Sequence, residues 1–230
     1  MVPRCSSLIL KWIDHASFLL KVGGRNFYID PYAGEYTEKA DVILISHGHF
    51  DHCDRGKVAA IYRPDTLIVT STECAKEMAS DPTIQALHIP SANVLTLAPG
   101  QRRELYGVTI EAVEAYNDHR FRSPGVPYHP KGTGIGFVIS VEGKRIYHAG
   151  DMDFIPEMKN LRNIDIALLP IMGRATMDID EAVEATVAIN PKAVLAIHRR
   201  EAKAEEFKAK LETKAKVRIL ETTPGGEITT

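Results

Sequence analysis

Four consecutive aliphatic residues, Val42-Ile43-Leu44-Ile45, run straight into Ser46-His47-Gly48-His49-Phe50-Asp51-His52. A short unbroken apolar run that ends in a glycine-containing turn is the pattern of a strand buried on both faces. Such a strand needs material packed above and below it, which points to a layered α/β architecture. The histidines begin where the strand ends. Three imidazoles and a carboxylate fall within six positions, from 47 to 52, on a rigid base that aims several donor atoms at one spot. Neutral imidazole and carboxylate suit zinc, iron or manganese better than magnesium or calcium. The plainer reading is a solvated histidine-rich loop without metal, but such loops seldom follow a buried strand so closely.

The rest of the chain is strand-rich with helices interspersed. Residues 8–13, 17–22 and 26–29 read as a meander of short strands, the last two joined by Gly23-Gly24. Helices are expected over 54–62 and 72–80, with strands at 67–70, 94–97, 102–105 and 108–115. An irregular segment follows from Asn117 to about Thr133; loops of that length inside a domain are usually functional or disordered, and its aromatics and histidines favour function. A hairpin over 134–149 runs into Gly150-Asp151-Met152-Asp153, and apolar strands are expected at 166–169 and 193–197, the second ending at His198. Asp178-Ile-Asp-Glu181 has the spacing of a capping box ahead of a helix to Ile189, and a further helix over 201–213 precedes a strand at 217–220. Two halves, each a meander followed by strand and helix units, suit a layered α/β structure read as one domain, 1–230.

Composition removes several function classes. Hydrophobic residues make up 44% and charged residues 25%, as in ordinary soluble proteins, and the formal charge of −2 offers no basic field for nucleic acid or an anionic membrane. The three cysteines, Cys5, Cys53 and Cys74, show no CxxC spacing, which argues against a disulfide framework and for a reducing, cytoplasmic setting. The apolar stretch near the start is short and soon interrupted by Lys11 and Asp14, so neither a signal peptide nor a membrane span is expected there.

His47-x-His49-x-Asp51-His52 resembles the signature of the metallo-β-lactamase superfamily of binuclear metal hydrolases. Asp30 in Ile-Asp-Pro-Tyr, Gly150-Asp151 and Ala196-Ile197-His198 resemble its other motifs. Trp-Ile-Asp-His-Ala-Ser, Ala-Tyr-Asn with Tyr-His-Pro-Lys, and Tyr-His-Ala-Gly-Asp look most like its ascorbate-phosphate-lactonase-like group of hydrolases. The resemblance implies a four-layer αββα sandwich, two mixed sheets face to face with helices outside. It also implies two divalent ions, zinc with manganese or iron as alternatives, at an edge where strand-end loops converge.

On that basis His47, His49 and His129 are assigned to one ion, Asp51, His52 and His198 to the other, and Asp151 bridges them. His129 is preferred over His119 of the same segment because Tyr-His-Pro-Lys matches the group pattern and Pro130 restrains its backbone; His119 is otherwise a substrate contact or a solvated histidine. Asp30 is expected to hold the 47–52 turn by hydrogen bonds from outside the ligand ring. His15 is a candidate for the pocket, while His148, facing away from Asp151, reads as structural. The chain departs from its group in two places: Met152 stands where Thr is usual, and Arg199-Arg200 follow His198 where Tyr-Gly is common.

The expected activity is hydrolysis of a small anionic or ester substrate (phosphoester, phosphodiester or lactone) by a metal-bridging hydroxide, with Asp51 and His52 in the catalytic centre and Lys131, Arg120, Arg122 and Arg199 as anion contacts. A nuclease of the same fold is the alternative, disfavoured by the balanced charge. A di-iron oxidoreductase is a further one, disfavoured by His at position 49. No membrane partner is expected, and self-association is left open.

Overall fold

The structure, a computed structural model, describes residues 8–228. Cys5 and the opening residues of the chain, and the expectations attached to them, lie outside the described residues. In chain order the strands are β1 Ile9–Asp14, β2 Ser17–Val22, β3 Arg25–Ile29, β4 Val42–Ile45, β5 Leu67–Thr70, β6 Val94–Thr96, β7 Arg102–Leu105, β8 Val108–Ala115, β9 Phe121–Ser123, β10 Val126–Pro127, β11 Gly134–Val141, β12 Lys144–His148, β13 Ile166–Pro170, β14 Ala193–Ile197, β15 Arg218–Ile219 and β16 Glu227–Ile228. The helices are α1 Arg55–Ile61, α2 Thr72–Ala79, α3 Pro82–Gln85, α4 Ile179–Ile189 and α5 Ala204–Glu212.

Two seven-stranded sheets result, ordered β16-β1-β2-β3-β4-β5-β6 and β15-β14-β13-β12-β11-β8-β7. Each opens antiparallel and turns parallel: β1, β2 and β3 form a meander before β3, β4, β5 and β6 run parallel. In the second sheet β7, β8, β11 and β12 are antiparallel and β12 to β15 run parallel. The architecture of the two halves therefore repeats although no residue-level repeat exists, because the same alternation of meander and crossover is written with different side chains.

Three apolar layers account for the patterning. Leu10, Phe18, Phe27 and Leu44 from the first sheet meet Ile110, Phe137, Leu168 and Leu195 from the second in the central core. Ile43, Ile45 and Ile68 on the outer face of the first sheet are covered by Val58, Ile61 and Met78 from α1 and α2. Tyr147, Leu169 and Val194 on the other outer face lie under Val183 of α4 and Phe207 of α5. Successive residues of β4 thus face two different cores, which is why 42–45 reads as a continuous apolar run. This is the four-layer αββα sandwich. The Asp178/Glu181 capping box forms as its spacing requires, and α4 ends at Asn190 in the left-handed conformation before Pro191.

Differences from the sequence expectation are confined to short elements. Residues 117–133 are not wholly irregular, since β9 and β10 pair antiparallel as a small hairpin. Strands of three and two residues carry no alternation to read. Helix α5 starts at Ala204 and not near 201, and Lys203 gives it no side-chain cap. The four-residue α3, capped by Asp81, and the closing strand β16, paired with β1, were likewise too short for a periodic signal.

Candidate metal centre

The turn that follows β4 is held by one buried carboxylate. Asp30, fully buried at the end of β3, accepts from the Ser46 backbone N–H and hydroxyl and from His52 Nδ1, each at 2.7 Å. The N–H groups of His52 and Cys53 both donate to the His49 carbonyl, at 3.0 and 2.9 Å, and close the turn. Because the Ser46 hydroxyl donates to Asp30, the 3.0 Å contact between Ser46 Oγ and His47 Nδ1 is a donation from the ring. Asp30 therefore places the protons of both His47 and His52 on Nδ1 and leaves their Nε2 atoms facing inward.

The second sheet and the segment before it supply the opposing wall. His129 is buried, and its backbone N–H and Nδ1 are 2.9 and 2.7 Å from Asn117 Oδ1. The Asn117 amide donates onward to Asp153 Oδ1 at 2.8 Å, and Asp153 also accepts from the backbone N–H groups of Asp118, His119 and Arg120. Asp151 follows β12 through Gly150, whose φ of +67° suits glycine and at which a Cβ would lie 3.2 Å from Ser46 Cβ and the Ile135 carbonyl oxygen. His198 follows β14 in the left-handed conformation, φ +45°, and its N–H donates to the His15 carbonyl at 3.2 Å. That bond ties the end of the second sheet to the β1–β2 turn of the first.

Asp151 is the hub. Its Oδ2 lies 3.4 Å from His129 Nε2, 3.3 Å from His198 Nε2 and 4.0 Å from His47 Nε2, and its Oδ1 lies 3.1 Å from His52 Nε2. Asp51 Oδ2 is 3.4 Å from His15 Nε2 and 3.6 Å from His198 Nε2. His49 Nδ1 and His129 Nε2 are 3.1 Å apart. Three overlapping groups emerge, each with donor atoms within 4.8 Å of one another: His47, His49 and His129; His47, His52 and Asp151; and His15, Asp51, His52 and His198.

The electrostatics are those of a site built for cations. Among the described residues nine buried side-chain polar atoms lack a hydrogen-bond partner, and six of them are here: the Nε2 atoms of His15, His47 and His52, both ring nitrogens of His198, and Asp151 Oδ1. An unpaired buried donor or acceptor costs about 1–3 kcal/mol, so such a concentration calls for an occupant. The donor set of imidazole nitrogens and carboxylate oxygens fits a first-row divalent ion. Cys53, next to His52, packs instead in the outer core. Burial and the neighbouring His52 and His129 rings hold His47 well below the usual histidine range. Burial likewise pushes His129 down to about 4. Burial opposes charge on His52 and His198 too, but the neighbouring carboxylates together raise both, Asp151 and Asp30 at His52 and Asp151 and Asp51 at His198. Burial would raise Asp51 and Asp151, yet the surrounding imidazoles hold both carboxyls below the usual range.

Other sequence candidates fall elsewhere. His119 is half exposed and pairs with Asp153 and, at 2.8 Å, Glu181, outside the three groups around Asp151. His15 joins Asp51, His52 and His198, whereas His148 is fully buried and ties β12 to the β1–β2 turn through Ala16 O at 2.8 Å. Three of the four expected anion contacts are engaged with other protein groups. Lys131 pairs with Glu157 at 2.9 Å and lies over the Tyr116 ring, and Arg199 Nε donates to the Ala196 carbonyl while its guanidinium covers Trp12 at 4.7 Å. Arg120 is likewise consumed, by Asp153, Asp178 and Glu181. Arg122, the fourth, lines a cavity beside His47, His49 and His129, and Arg200, not one of the four, reaches Asp51, its Nη2 2.9 Å from Asp51 Oδ2. Met152 is buried and its sulfur accepts from the Tyr147 hydroxyl at 3.4 Å, so this position serves the outer core. Ser46, Asn117 and Asp153 carry the support network. Asn117 belongs to the Ala-Tyr-Asn motif, a signal of position without a role attached.

Comparison with known proteins gives a consistent set of likenesses. A family model described as "Beta-lactamase superfamily domain" matches residues 9–198. The chain is 33% identical over 231 residues to a UPF0173 metal-dependent hydrolase of Pelotomaculum thermopropionicum, a match covering 91% of this chain and 95% of the relative. Among solved structures, one from Parabacteroides distasonis superposes with a TM-score of 0.80 at 32% identity over 93% of each chain. Igni18, a novel metallo hydrolase from Ignicoccus hospitalis, superposes with a TM-score of 0.75 at 25% identity over 96% of this chain and 97% of that one.

Proposed function

The chain belongs to the beta-lactamase superfamily as a metal-dependent hydrolase, and from that premise we propose that it hydrolyses a small ester, a phosphoester, phosphodiester or lactone, at a binuclear centre. The observation that carries this reading is the convergence of six unpartnered buried nitrogen and oxygen atoms on one edge of the sandwich, around Asp151. His47, His49 and His129 would hold one ion, Asp51, His52 and His198 the other, and Asp151 would lie between them. Two divalent ions, zinc with manganese or iron as alternatives, would when bound acidify water to a pKa of roughly 7 and stabilise the oxyanion that develops on the ester.

The protein's own contribution is placement. Asp30 orients His52 directly and His47 through Ser46, and Asn117 orients His129. Asp51, held as a carboxylate by His15 and His198, suits a ligand and not a general base. A cavity of about 210 Å³ lined by His47, His49, Glu77, Arg122, Tyr128 and His129 opens beside the first histidine group, a size for a small substrate. A larger surface cavity of about 270 Å³ beside α5 holds none of these groups. A reducing, cytoplasmic setting belongs to the same reading, supported by the free, buried Cys53 and Cys74.

Metal analysis of untreated protein, combined with a panel of phosphodiester, phosphomonoester and lactone substrates, tests it. Two ions per chain and turnover of at least one ester class are expected. Absence of metal together with no ester hydrolysis after metal reconstitution would overturn it.

A further inference from the structure

We propose that Arg200 is a specificity-determining residue that selects substrates carrying an oxyanionic group, phosphoryl or carboxylate, next to the scissile bond. The inference rests on the binuclear hydrolase reading and deepens it.

Three observations lead to it. First, Arg200 reaches the centre: its Nη2 is 2.9 Å from Asp51 Oδ2, on the face of Asp51 that also meets His15 and His198. Second, the backbone goes out of its way to bring it there. His198 and Arg200 both have left-handed φ, +45° and +46°, although neither is glycine. Such conformations are unfavourable for non-glycine residues and persist where surrounding structure over-determines them, often at ligand sites. Third, the charge of Arg200 would be set free on the Asp51 side of the centre, where the other candidate cations are committed, Arg122 lining the cavity on the His47, His49 and His129 side. Arg120 is neutralised by Asp153, Asp178 and Glu181, Lys131 by Glu157 and Glu114, and Arg199 is laid over Trp12. The recorded acidic partner of Arg200 is Asp51, a carboxylate the proposed centre would assign to an ion.

Once the charge of Asp51 is compensated by an ion, the attraction for Arg200 weakens. The Arg200 side chain is 55% exposed, so its remaining N–H donors face solvent at the mouth of the centre. A planar guanidinium with five donors matches the paired oxygens of a phosphoryl or carboxylate group, and lysine cannot reproduce that fork. An anion held there would lie against the Asp51–His198 side of the centre, whose residues do not line the cavity beside His47, His49 and His129.

The test is calorimetric titration of zinc-loaded wild type, Arg200→Ala and Arg200→Lys with inorganic phosphate and, separately, acetate, alongside the metal content of each protein. Arg200→Ala is expected to keep the wild-type metal content and to bind phosphate about tenfold more weakly, the usual scale of one charge-assisted contact at a half-exposed site, with Arg200→Lys in between. A matching loss with acetate extends the selection to carboxylates; a loss with phosphate alone narrows it to phosphoryl groups. Unchanged phosphate affinity in Arg200→Ala, or no phosphate binding by the wild type, overturns the proposal. Loss of metal from Arg200→Ala also overturns it, because Arg200 would then be a positioning residue for Asp51. A wild-type protein that takes up no zinc would sink the binuclear reading itself and this proposal with it, an outcome distinct from a metal-loaded protein indifferent to Arg200.

Discussion

Replacing Asp30 by asparagine removes one oxygen from a position no solvent reaches, and the hydrogen bonds around it define what must follow. Oδ1 accepts the Ser46 backbone N–H, and Oδ2 accepts both the Ser46 hydroxyl and His52 Nδ1, all at 2.7 Å. If the new NH2 takes the place of Oδ2, the Ser46 hydroxyl can turn to accept, but His52 Nδ1–H then meets another donor. If it takes the place of Oδ1, the clash moves to the Ser46 backbone, which cannot turn. To present a lone pair on Nε2, His52 must carry its proton on Nδ1, so the substitution favours the tautomer that cannot bind an ion through Nε2. One hydrogen bond to a charged group is worth about 1.5–3 kcal/mol, which matches the roughly 10–100-fold loss of metal affinity typical when the partner of a ligating histidine is removed. Competition between the protein and a chelator of known affinity measures it directly, and urea unfolding of the metal-free protein should show a loss of about 2 kcal/mol. Wild-type zinc affinity in Asp30→Asn would refute the claim that Asp30 sets the orientation of His52.

The remaining predictions address the ligand set, protons and stability. His129→Ala should lose bound metal while His119→Ala retains it, read by metal analysis after dialysis; the reverse result would reassign the ligand. In the metal-free protein His52 and His198 are raised above 6.5, so their stabilisation is present below that value and fades as pH rises through their folded values. Asp51 and Asp151 are lowered, so theirs is present above about pH 4 and is lost on acidification. Urea midpoints across pH 4–9 should therefore pass through a maximum, and calorimetry in buffers of different ionisation enthalpy should record proton release on zinc uptake. Free zinc at about 100 times its dissociation constant should add about 2.7 kcal/mol of stability, raising the midpoint of thermal unfolding by about 5–10 °C; an unchanged midpoint would mean that the folded state gains nothing from the ion.

What the chain discloses before folding depends on whether a feature is local. Residues 42–52 are legible because a buried strand and its histidine-rich turn are contiguous, and the strands β8, β11 and β12 are legible because the apolar pattern of each is local. His129, Asp151 and His198 are single residues with no surrounding chemical pattern, and only a family resemblance singles them out beforehand. Asn117 could not be read as the anchor of His129, because the bond spans twelve residues and depends on Asp153 holding the amide from a third place in the chain. The choice between Arg199 and Arg200 turns on two left-handed residues, His198 and Arg200, that no propensity would predict. Adjacent arginines therefore serve opposite ends: one packs on Trp12, the other reaches Asp51.

The centre is divided between two sheets, and this division explains why its geometry answers to the core. Asp30, His47, His49, Asp51, His52 and His15 follow strands of the first sheet, while Asp151 and His198 follow strands of the second and His129 lies just ahead of β11. Hydrogen bonds cross the seam from both sides: Ile135 N–H to the Ser46 carbonyl at 2.9 Å, His198 N–H to the His15 carbonyl at 3.2 Å, His148 Nε2 to the Ala16 carbonyl at 2.8 Å, the Ser71 hydroxyl to the Thr133 carbonyl at 2.6 Å, and Arg200 to Asp51 at 2.9 Å. Between the two sets of donor groups the sheets are held face to face by the apolar layer that includes Phe18, Phe27, Leu44, Phe137 and Leu168. Close-packed interiors transmit displacement, so the spacing of the donors around Asp151 is set by side chains that never touch them. The edge location follows from the same balance. Deeper in the sandwich the charges on Asp30, Asp51 and Asp151 would have no turn N–H groups or imidazoles within reach, whereas at the ends of β3, β4, β12 and β14 the strands stop and leave those groups free to converge.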